Sequence, residues 1–322
     1  MKPFHFPKGR YLITGGAGFI GSHLTEKLLS QGCQVITIDN FSTGRRENVQ
    51  HLLGNRDYEL VEQDVVNPFG VSGQLAGIFH LASPASPVDY ARMPIETLHV
   101  GAIGSDNVLK IAVEKKCPIM VASTSEIYGD PLEHPQKESY WGNVNSIGPR
   151  GCYDESKRYL EAITMAYHRV HGIKAQIIRI FNTYGPRMRT DDGRVVPNFC
   201  SQVITGKDIT IYGDGSQTRS FCYVSDMVEG MMRAIHLGDG MPVNIGNPDE
   251  YSIKSFAEKI ISFSKSNSKL VFKPLPEDDP KTRCPDITRA KQVLGWQPQV
   301  VLEEGLRHTF DYFNSKLAGK AL

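Results

Sequence analysis

Three things are scarce in this sequence, and each scarcity closes off a class of protein. Long apolar runs are missing: no segment approaches the ~20 residues that span a bilayer, and residues 1–10 carry no apolar stretch of the kind a secretion signal uses. A surplus of either charge is missing too, since 36 Lys and Arg stand against 35 Asp and Glu, a net charge of +1. That balance argues against nucleic-acid binding, which draws on a concentrated basic field. The six cysteines, Cys33, Cys117, Cys152, Cys200, Cys222 and Cys284, show neither a C-x-x-C pair nor metal-ligand spacing. No structural zinc is implied, and a reducing compartment is. The expectations are no metal, no nucleic acid, no membrane, and a cytoplasmic protein whose partners are small molecules or other protein chains.

Glycine, by contrast, is concentrated near the start. Tyr11-Leu-Ile-Thr-Gly-Gly-Ala-Gly-Phe-Ile-Gly21 reads as a buried strand, a tight turn and the opening of a helix with Phe19, Ile20, Leu24, Leu28 and Leu29 on its apolar face. Glycine lets backbone approach a pyrophosphate and the helix start offers unpaired N–H groups, so a dinucleotide is expected here. Gly16, Gly18 and Gly21 fit G-x-G-x-x-G; Gly15, Gly18 and Gly21 fit the G-x-x-G-x-x-G variant; the spacing leaves both open. A second strand, 34–38, ends in Asp39, eighteen residues beyond Gly21. A carboxylate there binds both ribose hydroxyls of NAD and repels the extra phosphate of NADP. Asn40, Phe41, Ser42, Thr43 and Gly44 follow as a turn around the adenosine half; Asp64 and Val65, after a strand at 58–61, suit the adenine, with a plain surface aspartate an equal reading for Asp64. Arg45 and Arg46 keep NADP open as a lesser alternative, solvated loop cations being the favoured reading.

Residues 77–82 read as a fourth strand, with His80 a core histidine and Leu81, Ala82 and Ser83 beside the nicotinamide. Residues 94–115 read as one long helix and 118–121 as a fifth strand. The alternation makes the fold α/β, a Rossmann-type doubly wound parallel sheet with its ligand at the C-terminal strand edge. The fifth strand runs into Ser123-Thr-Ser-Glu126, hydroxyls and a carboxylate that are costly to bury without partners. Tyr153 and Lys157 share one helix face at i, i+4. The ammonium should favour phenolate, lowering the phenol from its usual ~10 towards neutrality and making it a general base. A sixth strand at 174–181 delivers Asn182 to the same edge. The Gly-, Pro-, Arg- and Asp-rich stretch 186–218 suits a lobe that grips a polar substrate, and 252–262 and 302–313 read as covering helices. The expected division is 1–183 for the cofactor and the Tyr/Lys pair, and 184–322 mainly for a smaller substrate lobe, some of it returning to the first unit.

With the glycine turn, the acidic strand end and Thr124, the Tyr-x-x-x-Lys pair resembles the extended short-chain dehydrogenase/reductase family. Longer stretches are similar to its UDP-glucuronate decarboxylase branch: His80-Leu-Ala-Ser-Pro-Ala-Ser-Pro87, Ala122-Ser-Thr-Ser-Glu-Ile-Tyr-Gly-Asp-Pro131, Ile147-Gly-Pro-Arg150, Cys152-Tyr-Asp-Glu155, Arg179-Ile-Phe-Asn-Thr-Tyr-Gly-Pro-Arg-Met188 and Gly215-Ser-Gln-Thr-Arg219. The resemblance implies NAD-dependent decarboxylation of UDP-glucuronate to UDP-xylose through a 4-keto sugar, with the cofactor recycled, by a homodimer joined through the helices at 94–115 and 154–171. It implies Thr124, Tyr153 and Lys157 as the base set. Arg283, in a segment (278–286) that composition alone reads as a charged loop, becomes a catalytic arginine. Glu126 falls near C5, either disfavouring an ionised carboxylate there or relaying a proton. Ser86, Tyr90, Ser125, Asn182, Arg194, Val196, Tyr212 and Arg219 would hold the UDP-sugar, Arg219 at its diphosphate; for Arg187 and Arg189, lobe cations of the kind that binds phosphate, a surface-loop reading also stays open.

Two positions depart from that pattern: a substrate-binding lysine is His99, and an asparagine near the cofactor is Gly101. The anchoring N-terminus of Golgi members is also missing, pointing to a cytosolic bacterial-type enzyme or a truncated one. The Asp-Glu pair of 4,6-dehydratases is replaced by Ser125-Glu126, and Glu126 counts against a 4-epimerase. UDP-apiose synthesis alongside xylose stays open. An NAD-sensing binding protein is disfavoured by the intact Thr124, Tyr153 and Lys157.

Overall fold

In a computed structural model of the chain, residues 3–275 and 280–318 are described; Asp278 and Asp279 of the charged segment lie outside them. Seven parallel strands form the central sheet: β1 (Arg10–Thr14), β2 (Gln34–Asp39), β3 (Tyr58–Glu62), β4 (Gly77–His80), β5 (Ile119–Thr124), β6 (Ala175–Ile180) and a seventh, Val243–Ile245. Their order across the sheet is seventh, β6, β5, β4, β1, β2, β3, which makes it doubly wound with β1 and β4 at the centre.

Successive residues of each strand point to opposite faces, so apolar runs fill two cores at once. Tyr11, Ile13, Val35, Phe79 and Ile178 pack one way, against Leu24 and Leu28 of helix Phe19–Ser30 and Met227 and Met231 of helix Val224–Leu237. Leu12, Ile36, Ile78, Val121 and Ile177 pack the other way, against Val108 and Leu109 of helix Ser105–Lys115 and Leu160 of helix Gly151–His171. A third core, including Phe199, Ile211, Phe221, Phe256, Leu306 and Phe310, is built mainly from residues beyond 183; the rings of Phe221 and Phe256 stack at 4.2 Å.

The helix expected over 94–115 is interrupted. It runs as Pro94–His99, a π-helical turn Val100–Gly104 and then Ser105–Lys115. At the wide turn Gly101 lies against the helix carrying Tyr153: a β-carbon on it would stand 2.6 Å from the Ser156 β-carbon. Strand β4 stops at His80, two residues early, because the backbone N–H of Ala82 turns to the Thr14 hydroxyl and Ser83-Pro84 cannot continue a central strand. Strand β5 runs three residues longer than its apolar pattern, paired with β6 as far as Thr124 opposite Ile180, and Ser123 Oγ donates to Glu161 at 2.6 Å.

Candidate active site

The turn after β1 is a cradle that side chains would fill. Gly15 has φ +71°, and a β-carbon on it would meet the Ala82 backbone at 2.9 Å; one on Gly21 would stand 2.2 Å from the Gly15 carbonyl oxygen. Backbone N–H groups at the start of helix Phe19–Ser30 thus stay approachable, and the residues fit a dinucleotide. Asp39, buried at the end of β2, accepts from the N–H groups of Ala17 and Phe41, each at 2.9 Å. Asn40 accepts from the Ser42 hydroxyl at 2.7 Å and donates to Asp64 at 2.9 Å. Gly44 departs from expectation: it does not line the cavity but backs Asp39, whose Oδ1 would lie 2.6 Å from a β-carbon there.

Gly16 and Phe41 do not line it either; the other predicted site residues line one cavity of about 510 Å³ at the C-terminal strand edge. Gly15, Gly18, Phe19 and Ile20 come from the glycine turn, and Asp39, Asn40, Ser42, Thr43, Asp64 and Val65 from the ends of β2 and β3. Leu81, Ala82, Ser83, Ser86 and Tyr90 follow β4, and Thr124, Ser125 and Glu126 end β5. Tyr153 and Lys157 face them, with Asn182, Arg194, Val196, Tyr212, Arg219 and Arg283 opposite.

At the chemical end Tyr153 stacks on Tyr90, ring centres 5.0 Å apart. Lys157 Nζ donates to the Ala122 carbonyl at 2.9 Å and lies 5.8 Å from the Tyr153 ring centre. The expected fall of the phenol towards neutrality is not found. Burial, and then the charge of Glu126, push Tyr153 up to about 12, against the hydrogen bond with Thr124 that pulls it down. Burial also lowers Lys157 to about 8, weakening the cation that was to stabilise phenolate.

Glu126 is clamped between two guanidiniums, Arg150 at 2.5 Å and Arg283 at 2.7 Å. Burial pushes its carboxyl up, but Arg283 and Arg150 outweigh that and hold it at about 2. It is a paired carboxylate, not a bare negative charge. Arg150 is the residue that sequence reasoning missed, although it stands in the Ile147–Arg150 motif; its place one turn ahead of Asp154 was the available signal. Arg187 and Arg189 are not free loop cations either: they pair with Glu26 at 2.5 Å and Asp89 at 2.8 Å and line the cavity. Arg187 Nη1, Arg283 Nη2 and the Tyr90 hydroxyl are buried without hydrogen-bond partners, so the cavity presents unsatisfied donors suited to an anion.

His80 is the expected core histidine, bonded to Thr14 at 2.7 Å and Ser105 at 3.1 Å and driven down to about 3 by burial. His99 is exposed and does not line the cavity. Away from it, His134, Glu250 and Cys284 bring ligand-type atoms within 4.8 Å of one another. They are engaged already: His134 pairs with Glu250 at 3.1 Å, Cys284 Sγ donates to the Pro248 carbonyl at 3.3 Å, and burial pushes that thiol up to about 12.

A doubly wound sheet that gathers a glycine turn, an acidic strand end and a Thr-Tyr-Lys set at one edge defines an extended short-chain dehydrogenase/reductase. The family profile of GDP-mannose 4,6 dehydratase matches residues 12–309, and UDP-glucuronic acid decarboxylase 1 of Danio rerio is 50% identical over 312 residues, 97% of this chain and 74% of that protein. The chain belongs to the UDP-glucuronic acid decarboxylase family. Among solved structures, UDP-glucose 4-epimerase of Thermotoga maritima with UDP-glucose superposes with a TM-score of 0.86 at 31% identity, covering 96% of this chain and 99% of that one. UDP-glucuronic acid 4-epimerase of Bacillus cereus, in complex with UDP-glucuronic acid and NAD, gives 0.84 at 26% identity, covering 95% and 99%.

Proposed function

We propose that this enzyme converts UDP-glucuronate to UDP-xylose and carbon dioxide, with NAD bound and recycled in each turnover. The observation that carries the reading is the Arg150–Glu126–Arg283 cluster in one cavity with Thr124, Tyr153 and Lys157. A sugar acid needs a cation to admit it, and Arg283 keeps a buried N–H without a partner. The Bacillus cereus relative, bound to UDP-glucuronic acid and NAD, supports both ligands.

The substrate's carboxylate is on C5, so a ketone at C4 makes a β-keto acid, which loses carbon dioxide readily. NAD, when bound, supplies the electron sink for that oxidation and its reversal. Tyr153, hydrogen-bonded with Thr124 and backed by Lys157, takes the proton of the C4 hydroxyl and returns it at the end. The same groups stabilise the enolate oxygen left by decarboxylation. Arg283 admits the carboxylate without holding it so tightly that departure is slowed. Asp39 selects NAD over NADP. Arg219 meets the diphosphate, while Ser86, Tyr90, Ser125, Asn182, Arg194, Val196 and Tyr212 shape the rest of the UDP-sugar site.

Residues 1–183 then serve the cofactor and 184–322 mainly the substrate. A homodimer through the helices flanking the dyad is supported by exposed Ile95, Leu98 and Ile103 on one and Tyr159 on the other. A cytoplasmic setting is supported by six free cysteines and by the lack, among the described residues, of any helix long and apolar enough to cross a membrane. Incubation with UDP-glucuronate and NAD should release carbon dioxide and yield UDP-xylose. UDP-galacturonate in its place would make the chain an epimerase, and UDP-apiose beside xylose would widen the product range.

A further inference from the structure

Decarboxylation consumes one proton per turnover: the carboxylate leaves as neutral carbon dioxide and C5 takes a hydrogen in its place. Tyr153 cannot be the net source, because the proton it removes from the C4 hydroxyl goes back there. A path from solvent to the Glu126 side of the site is needed. A second cavity, of about 300 Å³, lies there. Its walls run from exposed Asp130, Asn143 and Asn145 to Glu126, Arg150 and Asp154, and it far exceeds the ~10–15 Å³ that one water requires. Asp154 is 6% exposed, and its Oδ1 is buried without a hydrogen-bond partner. A buried carboxyl oxygen left unpaired is costly unless the group is neutral.

We infer that Asp154 is the proton reservoir for C5, filled from solvent through this cleft and emptied by way of Glu126; the inference rests on the decarboxylation reading. In that step the enolate's C=C electron pair forms the new C5–H bond with a proton from Glu126. Glu126 is reloaded as the Asp154 O–H bond breaks, and Asp154 takes its next proton from solvent. Held by two guanidiniums, Glu126 keeps the proton only in passing. The groups facing Asp154 are Glu126 at the end of β5, Arg150, Tyr153 and Glu155 on its own helix, Arg283 from the late segment, and Tyr90. Burial first, and then Glu126, push its carboxyl up to about 7, against Arg150 and Arg283. The reservoir is loaded below that pH and empties as the pH rises through it.

The test is Asp154→Asn in the full-length, NAD-loaded enzyme. Turnover should fall on the order of 10²-fold, the scale of a lost general acid, with KM for UDP-glucuronate nearly unchanged and the alkaline fall of kcat near pH 7 abolished. Asp154→Glu should restore most of the rate and bring back an alkaline limb, displaced with the new carboxyl. Wild-type kcat in Asp154→Asn, or a lower kcat with the alkaline limb unmoved, would overturn the inference. If Asp154→Asn does not fold, Asp154→Glu decides alone: a limb left at the wild-type pH overturns it. A wild-type enzyme that releases no carbon dioxide would instead overturn the decarboxylation reading.

Discussion

Tyr153 and Lys157 are held in surroundings that oppose their charged forms, and that tension is open to measurement. Replacing Tyr153 by Phe keeps the ring that stacks on Tyr90 and removes only the phenol oxygen. Turnover should drop by about 10²–10⁴-fold while NAD affinity by titration stays close to wild type; carbon dioxide release near the wild-type rate would reject the assignment. For Lys157 the sign follows from its lowered pKa. Below about 8 both folded and unfolded chains carry the proton and the full burial cost applies; between about 8 and 10.5 the unfolded chain binds more protons, so this group's contribution to stability rises with pH. Lys157→Met should flatten that rise in denaturant midpoints taken across the window, and an unchanged slope would contradict the buried ammonium. Sequence spacing found this pair because its partners are four residues apart. It missed Arg150 because the partner, Glu126, is 24 residues away, and it left Arg187 and Arg189 undecided because Glu26 and Asp89 are 161 and 100 residues away. Burial, which reverses the expected shift of Tyr153, is likewise a property of the packed site.

At the scale of elements, the first half of the sheet was legible because strand, glycine turn and amphipathic helix are local patterns, each repeated with little insertion. Ends were less so: β5 outruns its apolar stretch because pairing with β6 and the Ser123–Glu161 bond carry polar residues into the ladder. The π turn at Val100–Gly104 gave no periodic signal, since its reason is contact with another helix. That contact makes a prediction. Gly101→Asn would place its β-carbon 2.6 Å from that of Ser156 and should destabilise the fold by roughly 1–3 kcal/mol, the usual scale of overpacking. The Ser156 carbonyl oxygen would also lie 2.8 Å away, so adding Ser156→Gly, which removes only the side chain, should recover part of the loss in denaturant unfolding and leave the rest. Two additive losses would mean the Ser156 side chain adds nothing to the crowding at 101.

For the whole molecule, the seventh strand, Val243–Ile245, is the link that sequence did not place in the sheet: residues beyond 183 return to pair with β6, so the lobe with its own core is tied back to the edge where Asn182 and Arg283 meet the Glu126 cluster. The exposed face of Ile95, Leu98 and Ile103 predicts a dimer mass in solution at micromolar concentration, reduced to monomer by Leu98→Asp with Ile103→Asp; a fully active wild-type monomer would contradict the assembly. Decarboxylation with an internally recycled cofactor can be followed by turning over UDP-glucuronate in D₂O with NAD and analysing the product by mass and NMR. The expected product is UDP-xylose with one solvent deuterium at C5 and none at C4, with carbon dioxide in equal amount and no net formation of NADH. Deuterium at C4, or an NADH yield that matches the carbon dioxide, would contradict it.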